Sequence, residues 1–177
     1  AEVGTLQKEL SRIAEREALL GRVIGTWISR YSHIVELSGS APARLSFADT
    51  LQVNADGSYR LEIHDLTQSK IDVESGHWKF DGKILILQQG QKPSKDEGIA
   101  YDLSWTGDDR FGMQLTAYEL GRRRMRRSGT VQCQSCYYDS TGVLHEKMSD
   151  SRFRNSEYTV RVTPKWYERE TFRPSVR

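Results

Sequence analysis

The chain has 177 residues, of which 37% are hydrophobic and 28% are charged, and 26 basic residues against 24 acidic ones leave a formal net charge of +2. This composition predicts one soluble domain and excludes a disordered chain, while the weak overall charge argues against nucleic acid as a partner. No apolar run approaches the roughly 18 residues that a membrane-spanning helix needs.

The first segment predicts an amphipathic helix over residues 1–21. Its apolar residues recur at three- and four-residue intervals, and Gly21 is placed to end the helix. The apolar positions are Val3, Leu6, Leu10, Ile13 and Leu20. We expect this helix to pack against the outside or the mouth of the following domain. In the alternative, its narrow apolar stripe pairs with a partner helix as a short coiled coil.

Residues 22–163 carry the pattern of an antiparallel barrel, with apolar and polar residues alternating along short strands. Asn54-Ala55-Asp56-Gly57 is a strong hairpin-turn signal between two such strands. Ile71 and Val73 take odd positions whereas Trp78 takes an even one, so we expect a β-bulge at residues 75–77. Beyond Gly121 the pattern predicts further strands, the first at about 122–133. Residues 164–177 predict a tail on the surface or on a partner.

Two Gly-x-Trp triplets bracket the first hairpins and are predicted to close the barrel. A glycine lets neighbouring backbone come close, and an indole two residues later can seal a barrel end while its N–H finds a carbonyl. The residues concerned are Gly25, Trp27, Gly76 and Trp78.

Three stretches resemble the lipocalin-like (calycin) domains of bacterial envelope and secreted proteins. They are Leu-Leu-Gly-Arg-Val-Ile-Gly-Thr-Trp at 19–27, Leu-Gln-Val-Asn-Ala-Asp-Gly-Ser-Tyr at 51–59 and Ser-Gly-His-Trp-Lys-Phe-Asp-Gly-Lys-Ile-Leu at 75–85. The resemblance covers roughly residues 19–120. It implies an up-and-down barrel of eight to ten strands, with Trp27 at its closed end. It also implies an arginine packed across Trp27, for which Arg122, Arg124 and Arg126 are the candidates.

Cys133 and Cys136 form a Cys-Gln-Ser-Cys pair in a predicted strand. We favour a local disulfide, which predicts a periplasmic or secreted protein, although two reduced thiols of a cytoplasmic protein fit the same spacing. A redox pair would need the first thiol at a helix N-terminus. A zinc site would need two more ligands, and His145 is the only histidine nearby.

The run Arg122-Arg123-Arg124-Met125-Arg126-Arg127 is the densest charge cluster. One interpretation is a solvated strand edge, which discourages strand addition. In the other, Arg122, Arg124 and Arg126 bind an anionic partner, such as a membrane surface or an acidic protein. RNA binding would require aromatic residues interleaved on the same face.

We predict a non-catalytic barrel that binds a small apolar or amphipathic ligand, with no cofactor and no metal. The predicted lining is Phe47, Leu51, Tyr59, Leu61, Tyr101, Leu103, Trp105, Phe111 and Met113, although the same residues would fill a barrel without a cavity. The alternative is an interaction subunit of an envelope or secretion assembly that grips other proteins through the helix, the arginine run and the tail. An enzyme using Glu62, His64 and His77 is a third interpretation, but no established catalytic motif supports it.

Overall fold

The structure is a computed structural model that describes residues 2–90, 98–125, 127–153 and 156–171. This part of the chain forms two helices, α1 at Glu2–Val23 and α2 at Ala117–Met125, and a 3-10 turn at Ser151–Phe153. Its strands are β1 Gly25–Leu37, β2 Ala43–Val53, β3 Ser58–Asp65, β4 Lys70–Phe80, β5 Ile84–Gln89, β6 Ile99–Trp105, β7 Arg110–Leu115, β8 Arg127–Ser128, β9 Val131–Tyr138, β10 Leu144–Asp150, β11 Ser156–Val162 and β12 Trp166–Arg169.

Eight antiparallel strands of the described chain, β1–β7 and β12, close into a barrel. Strands β1 to β7 pair in sequence order, as expected for hairpins joined by tight turns. Strand β12 then fills the gap, with Trp166 opposite Gly112 of β7 and Arg169 opposite Trp27 of β1. The predicted fold class, a mainly β antiparallel barrel with an N-terminal helix, is confirmed.

The long strand β1 changes partner along its length. Its start pairs with β12, whereas residues 33–37 pair with residues 158–162 of β11. Strands β11, β10, β9 and β8 continue as a second antiparallel sheet beside the barrel. Pro164 and Lys165 lie in the short connection between β11 and β12. This connection therefore runs past the place where β1 exchanges one partner for the other.

Aromatic side chains seal one end of the barrel. Trp27 is fully buried and meets Phe111 edge to face, with ring centroids 4.7 Å apart. The indole N–H of Trp27 donates to the carbonyl oxygen of Val23 at 2.8 Å, and that of Trp78 donates to the carbonyl oxygen of Asn54 at 2.8 Å. Both indoles therefore bury apolar surface while each N–H keeps an acceptor.

The β-bulge predicted at residues 75–77 is wrong. The pairing of β4 with β3 and with β5 runs through Gly76 without a shift of register. Ile71 and Val73 lie on the outer face with 57% and 53% exposure, so the chain has no extra residue to absorb. Gly76 instead allows β5 to approach β4 closely, because a Cβ at this position would collide with the carbonyl oxygen of Gln88.

The strand predicted at 122–133 is wrong over its first residues, which belong to helix α2. Thr116 caps this helix, since its hydroxyl oxygen accepts a hydrogen bond from the main-chain N–H of Glu119 at 3.3 Å. Thr116-Ala117-Tyr118-Glu119 matches the capping-box pattern. The following Leu, Arg and Met residues are strong helix formers, and none of them is β-branched. The local sequence thus favours the helix.

The predicted tail at 164–177 is also corrected, since residues 166–169 form β12 and complete the barrel. Tyr167 points inward and is fully buried. A four-residue strand is too short to show an alternating pattern. The neighbouring proline and charged residues also made this stretch resemble a tail in the sequence. Residues 172–177 lie outside the described part of the chain.

Helix α1 joins the barrel only through its last turn. Leu19, Leu20 and Val23 pack against the core, and Val23 is fully buried. The stripe upstream is exposed within the described structure, by 50% to 70% per residue, at Val3, Leu6, Leu10 and Ile13. Within the described residues, the predicted packing of the helix on the outside or the mouth of the barrel is therefore found for its last turn, and a partner helix for the exposed stripe stays a prediction. Neither described helix is long and apolar enough to cross a membrane.

The arginine that covers Trp27 is Arg169 of β12, and none of the three candidates named from the sequence occupies that place. Its guanidinium lies 4.3 Å from the indole centroid and donates to the carbonyl oxygens of Ile24 at 2.8 Å and Arg22 at 2.9 Å. Gly25 has a φ of 143°, and a Cβ there would lie 2.6 Å from Nη1 of Arg169. Arg169 thereby ties β12 to the end of α1.

We expect Arg169→Met to lower the free energy of unfolding by about 2–4 kcal/mol, because it leaves two carbonyl oxygens without their charged donor and uncovers Trp27. Urea unfolding followed by tryptophan fluorescence measures the loss. The matched control is Arg161→Met on β11, where a half-exposed arginine pairs with Glu36 at 3.3 Å. That control should change stability by less than about 1 kcal/mol. Equal losses in the two variants would contradict the proposed role of Arg169.

Candidate functional site

A cavity of about 280 Å³ lies at the end of the barrel away from Trp27. It lies between the barrel mouth, helix α2 and the second sheet. The lining combines apolar with charged and hydrogen-bonding side chains. The lining residues are His33, Ile99, Tyr101, Met113, Leu115, Glu119, Arg123, Tyr138, Gly142, Leu144, Glu146, Val162, Thr163 and Lys165.

The inner face of β1 leads from the sealed end to the cavity. Alternation places Trp27, Ser29, Tyr31 and His33 on one face, and the first three are buried. At roughly 3.3 Å per residue, His33 lies about 20 Å along the strand from Trp27. The barrel therefore has a packed half near Trp27 and an open half near His33.

A buried carboxylate lies next to Lys165 of the cavity wall. Asp49 of β2 is 1% exposed and accepts hydrogen bonds from the hydroxyl groups of Tyr31 at 2.9 Å and Tyr167 at 2.8 Å. Burial, followed by the charge of Asp49, raises the pKa of both tyrosines above their ordinary value. Both phenols therefore keep their protons and donate to Asp49.

Lys165 brings an ammonium group into the cavity from the connection before β12. Its Nζ lies 3.8 Å from Oδ2 of Asp49 and 4.0 Å from the ring centroid of Tyr31. Within the described residues, Nζ makes no hydrogen bond. Burial lowers the pKa of Lys165, and the charge of Asp49 opposes that shift. Lys165 therefore contacts Asp49 and the ring of Tyr31 from the cavity wall without a hydrogen bond to either.

His33 is the other basic group at the cavity wall that lacks a hydrogen-bond partner among the described residues. Its ring packs on Phe47, with centroids 4.5 Å apart. Burial lowers the pKa of His33 to about 4, and the positive charges of Lys165 and Arg123 act in the same direction. The imidazole is therefore neutral at physiological pH and can offer one donor and one acceptor.

The acidic groups of the lining are already paired. Glu146 of β10 accepts a hydrogen bond from Nη1 of Arg123 at 3.1 Å. Glu119 of α2 lies 3.6 Å from Nη1 of Arg122, and it accepts a hydrogen bond from the main-chain N–H of Ala100 at 3.3 Å. Two arginines of helix α2 therefore neutralise both acidic residues of the cavity wall, Glu119 of α2 itself and Glu146 of β10.

The predicted ligand lining divides between the cavity and the core. Of the nine residues, Tyr101 and Met113 line the cavity, and Phe47 lies beside it against His33. The other six pack in or against the core cluster of the sealed half: Leu51, Tyr59, Leu61, Leu103, Trp105 and Phe111. The sequence thus predicted the inner face of the barrel, but it did not show which half is filled.

The predicted arginine surface is not a single face. Arg122 pairs with Glu119, and Nη2 of Arg124 donates to the carbonyl oxygen of Cys136 at 2.5 Å. Arg126 lies outside the described residues. An anionic membrane surface or acidic protein as the partner of these arginines stays a prediction.

Cys133 and Cys136 are bonded to each other in β9. Their sulfur atoms and the carboxylate of Glu146 lie within 4.8 Å of one another, and this is a group of ligand atoms that could hold a metal. Sulfur atoms joined in a disulfide are not thiolate ligands, so the arrangement favours a local clip over zinc binding. The redox state of the pair in the cell stays a prediction.

The histidines considered for catalysis lie away from the cavity. His64 pairs with Glu62 at 3.1 Å on the outer face of β3, and His77 lies on the outer face of β4. The sequence missed the basic groups that do line the cavity, His33, Arg123 and Lys165. The odd register shared with Trp27 was an available signal for His33, and the capping box at Thr116 was one for the helix that carries Arg123.

No family model matches the chain, and no curated protein matches it. A protein of unknown function from the DUF3598 family of Nostoc punctiforme PCC 73102 is 12% identical, with a TM-score of 0.39 over 85% of this chain and 49% of that one. A DUF1329 family protein from Desulfovibrio piger ATCC 29098 is 12% identical, with a TM-score of 0.24 over 89% of this chain and 92% of that one. The chain spans about half the length of the first protein. These likenesses are too weak to support a functional argument.

The pKa of His33 predicts a pH dependence of stability. Because it falls from 6.5 to about 4 on folding, the unfolded chain binds more protons between these values, and stability is lost as pH drops through this window. Relative to His33→Gln, the native protein should lose about 1–3 kcal/mol more between pH 7 and pH 4.5. Urea unfolding at each pH measures this difference. A pH profile of His33→Gln that runs parallel to the native profile would refute the assignment.

Proposed function

We propose that this protein is a non-catalytic, lipocalin-like (calycin) binding protein that holds one small amphipathic ligand in the cavity that Lys165 lines. The observation that carries the proposal is the open half of the barrel. Space remains there beside two polar groups for which the described structure gives no hydrogen-bond partner, Lys165 and His33. A folded protein gains nothing from such groups unless water or a ligand satisfies them.

The lining suits a molecule with one apolar and one polar end. Apolar side chains from both sheets supply one part of the wall: Ile99, Met113, Leu115, Leu144 and Val162. The polar part gathers around Lys165 and Thr163 at the strand exchange of β1. A volume of about 280 Å³ lies at the lower limit of the roughly 300–1,000 Å³ common for small-molecule pockets. The ligand is therefore short.

The same proposal holds that the protein catalyses no reaction and that it lies outside the cytoplasm. His33 has no hydrogen bond to a carboxylate or hydroxyl within the described cavity wall, so a base paired with a nucleophile is not formed there. The bonded cysteines favour an oxidising compartment, the periplasm or the extracellular space.

Ligand binding can be followed through the NMR signal of the Met113 methyl group. Met113 is one of three methionines in the chain. Titration of methyl-¹³C-methionine-labelled protein with 1-octanol should shift the Met113 methyl signal saturably, because that side chain lines the cavity. The signal of Met125, which is 86% exposed, should stay in place and serves as an internal control. Proton–carbon correlation spectra provide the measurement.

A cavity-filling variant tests the location. Leu144→Trp should weaken 1-octanol binding by about tenfold or more, because the larger side chain occupies ligand space. The matched control, Leu37→Trp at a position with 51% exposure, should bind as the native protein does. Saturable shifts that persist unchanged in Leu144→Trp would overturn the proposed site.

An interaction role is the second candidate, and the exposed stripe of α1 favours it. Four large apolar side chains on one helical face stay in water, which is unusual for a helix that has no binding partner. A partner helix that packs on this face would bury them as a short coiled coil. The barrel would then be a scaffold within an envelope or secretion assembly.

The double variant Leu6→Ser/Leu10→Ser should keep the unfolding midpoint of the barrel, since both side chains are more than 60% exposed, yet lose a bound partner protein. Affinity purification from source cells with quantitative mass spectrometry measures the loss. The control is Lys8→Ser/Arg12→Ser on the opposite face of α1. Identical partners at identical levels in both variants would count against the interaction role.

A further inference from the structure

We infer that the ligand of the cavity carries a carboxylate, which Lys165 binds directly while Tyr101 and His33 donate from the same wall. This inference rests on the proposed ligand-binding function and specifies the chemistry of the polar end. It follows because the cavity wall offers more unused hydrogen-bond donors than unused acceptors.

The unused groups at the cavity are mainly donors. Lys165, Tyr101 and His33 all line the cavity, and within the described residues the structure gives no hydrogen bond to Nζ of Lys165, to the hydroxyl group of Tyr101 or to the ring of His33. Lys165 alone contributes three N–H donors and no acceptor. The side chain of Lys165 is 30% exposed, so water can reach these donors when no ligand is bound. A ligand that displaces this water must bring acceptors of its own, because a desolvated charged donor without an acceptor is costly.

The negative groups nearby are too engaged to balance Lys165. Both carboxylate oxygens of Asp49 accept tyrosine hydroxyl groups, and its distance of 3.8 Å from Nζ exceeds a hydrogen bond. Glu146 is held by Arg123, and Glu119 is held by Arg122 and by a main-chain N–H. Lys165 is therefore the charged group with which an anionic ligand can pair. A cationic ligand would find no carboxylate without a donor, because all three already accept hydrogen bonds.

Size and lining select a small monocarboxylate with an apolar body. The apolar wall formed by Met113, Leu115, Leu144 and Val162 can cover a hydrocarbon or ring of limited length. A phospholipid would exceed the cavity of about 280 Å³. Octanoate is a suitable probe because 1-octanol and octylamine share its chain length and differ at the polar end.

Isothermal titration calorimetry of the full chain with these three probes tests the inference. We expect octanoate to bind at least about tenfold more tightly than 1-octanol, because a charge-assisted hydrogen bond forms only with the acid, and octylamine to bind more weakly than either. Equal affinity for octanoate and 1-octanol would overturn the carboxylate inference while the ligand-binding function stands. If none of the three probes binds, both proposals fall.

Variants of Lys165 test whether this residue causes the tighter binding of octanoate. Lys165→Met should remove the advantage of octanoate while 1-octanol binding stays within about threefold, and Lys165→Arg should keep part of the advantage because the charge remains. The matched control is Lys79→Met, an exposed lysine on the outer face of β4. Circular dichroism checks that each variant is folded. If Lys165→Met does not fold, the ranking of the three probes on the native protein still decides the inference, and an unchanged acid preference in a folded Lys165→Met refutes the role of this lysine.

Discussion

The hydrogen bonds that hold Asp49 inside the barrel are the constraint on which the rest of the structure depends. A carboxylate with 1% exposure is tolerated only when donors surround it. Those donors come from two other strands, Tyr31 of β1 and Tyr167 of β12, so the bonds cross the seam where the barrel closes. Without β12 in place, Asp49 would lose one phenol and the nearby Lys165. Closure of the barrel and satisfaction of this buried charge are therefore coupled.

Asp49 also divides the barrel into its two halves. On the side of Trp27 the inward residues are mostly aromatic or aliphatic, and they form one core cluster. On the other side β1 leaves β12 for β11, and the connection that carries Lys165 crosses the opening. Because two sheets diverge at this point, no regular layer of side chains fills the space between them. The cavity is thus a consequence of the strand exchange.

The local part of the fold could be predicted from the sequence, and the non-local part could not. Turn residues such as Asn54 to Gly57 and period-two alternation define neighbouring hairpins, and these signals span few residues. Whether Ile71 and Val73 face inward depends on the distant strands that Trp78 packs against, and their apolar character suggested a bulge that does not exist. Strand β12 has four residues, and its pairing partners lie more than 50 and more than 130 residues earlier.

The same limit applies more strongly to the site. Its wall is assembled from β1, β6, β7, α2, β9, β10, β11, the turn between β9 and β10, and the connection before β12, so no contiguous stretch of sequence represents it. A polar residue at an inward position, such as His33, also looks in the sequence like an interruption of the apolar face. Polar groups that a barrel encloses without partners violate the pattern that makes the rest of the barrel recognisable, and functional sites are where such violations are expected. Lys165, whose Nζ lies 3.8 Å from a carboxylate that two tyrosines already bind, is the group on which the proposed ligand binding rests.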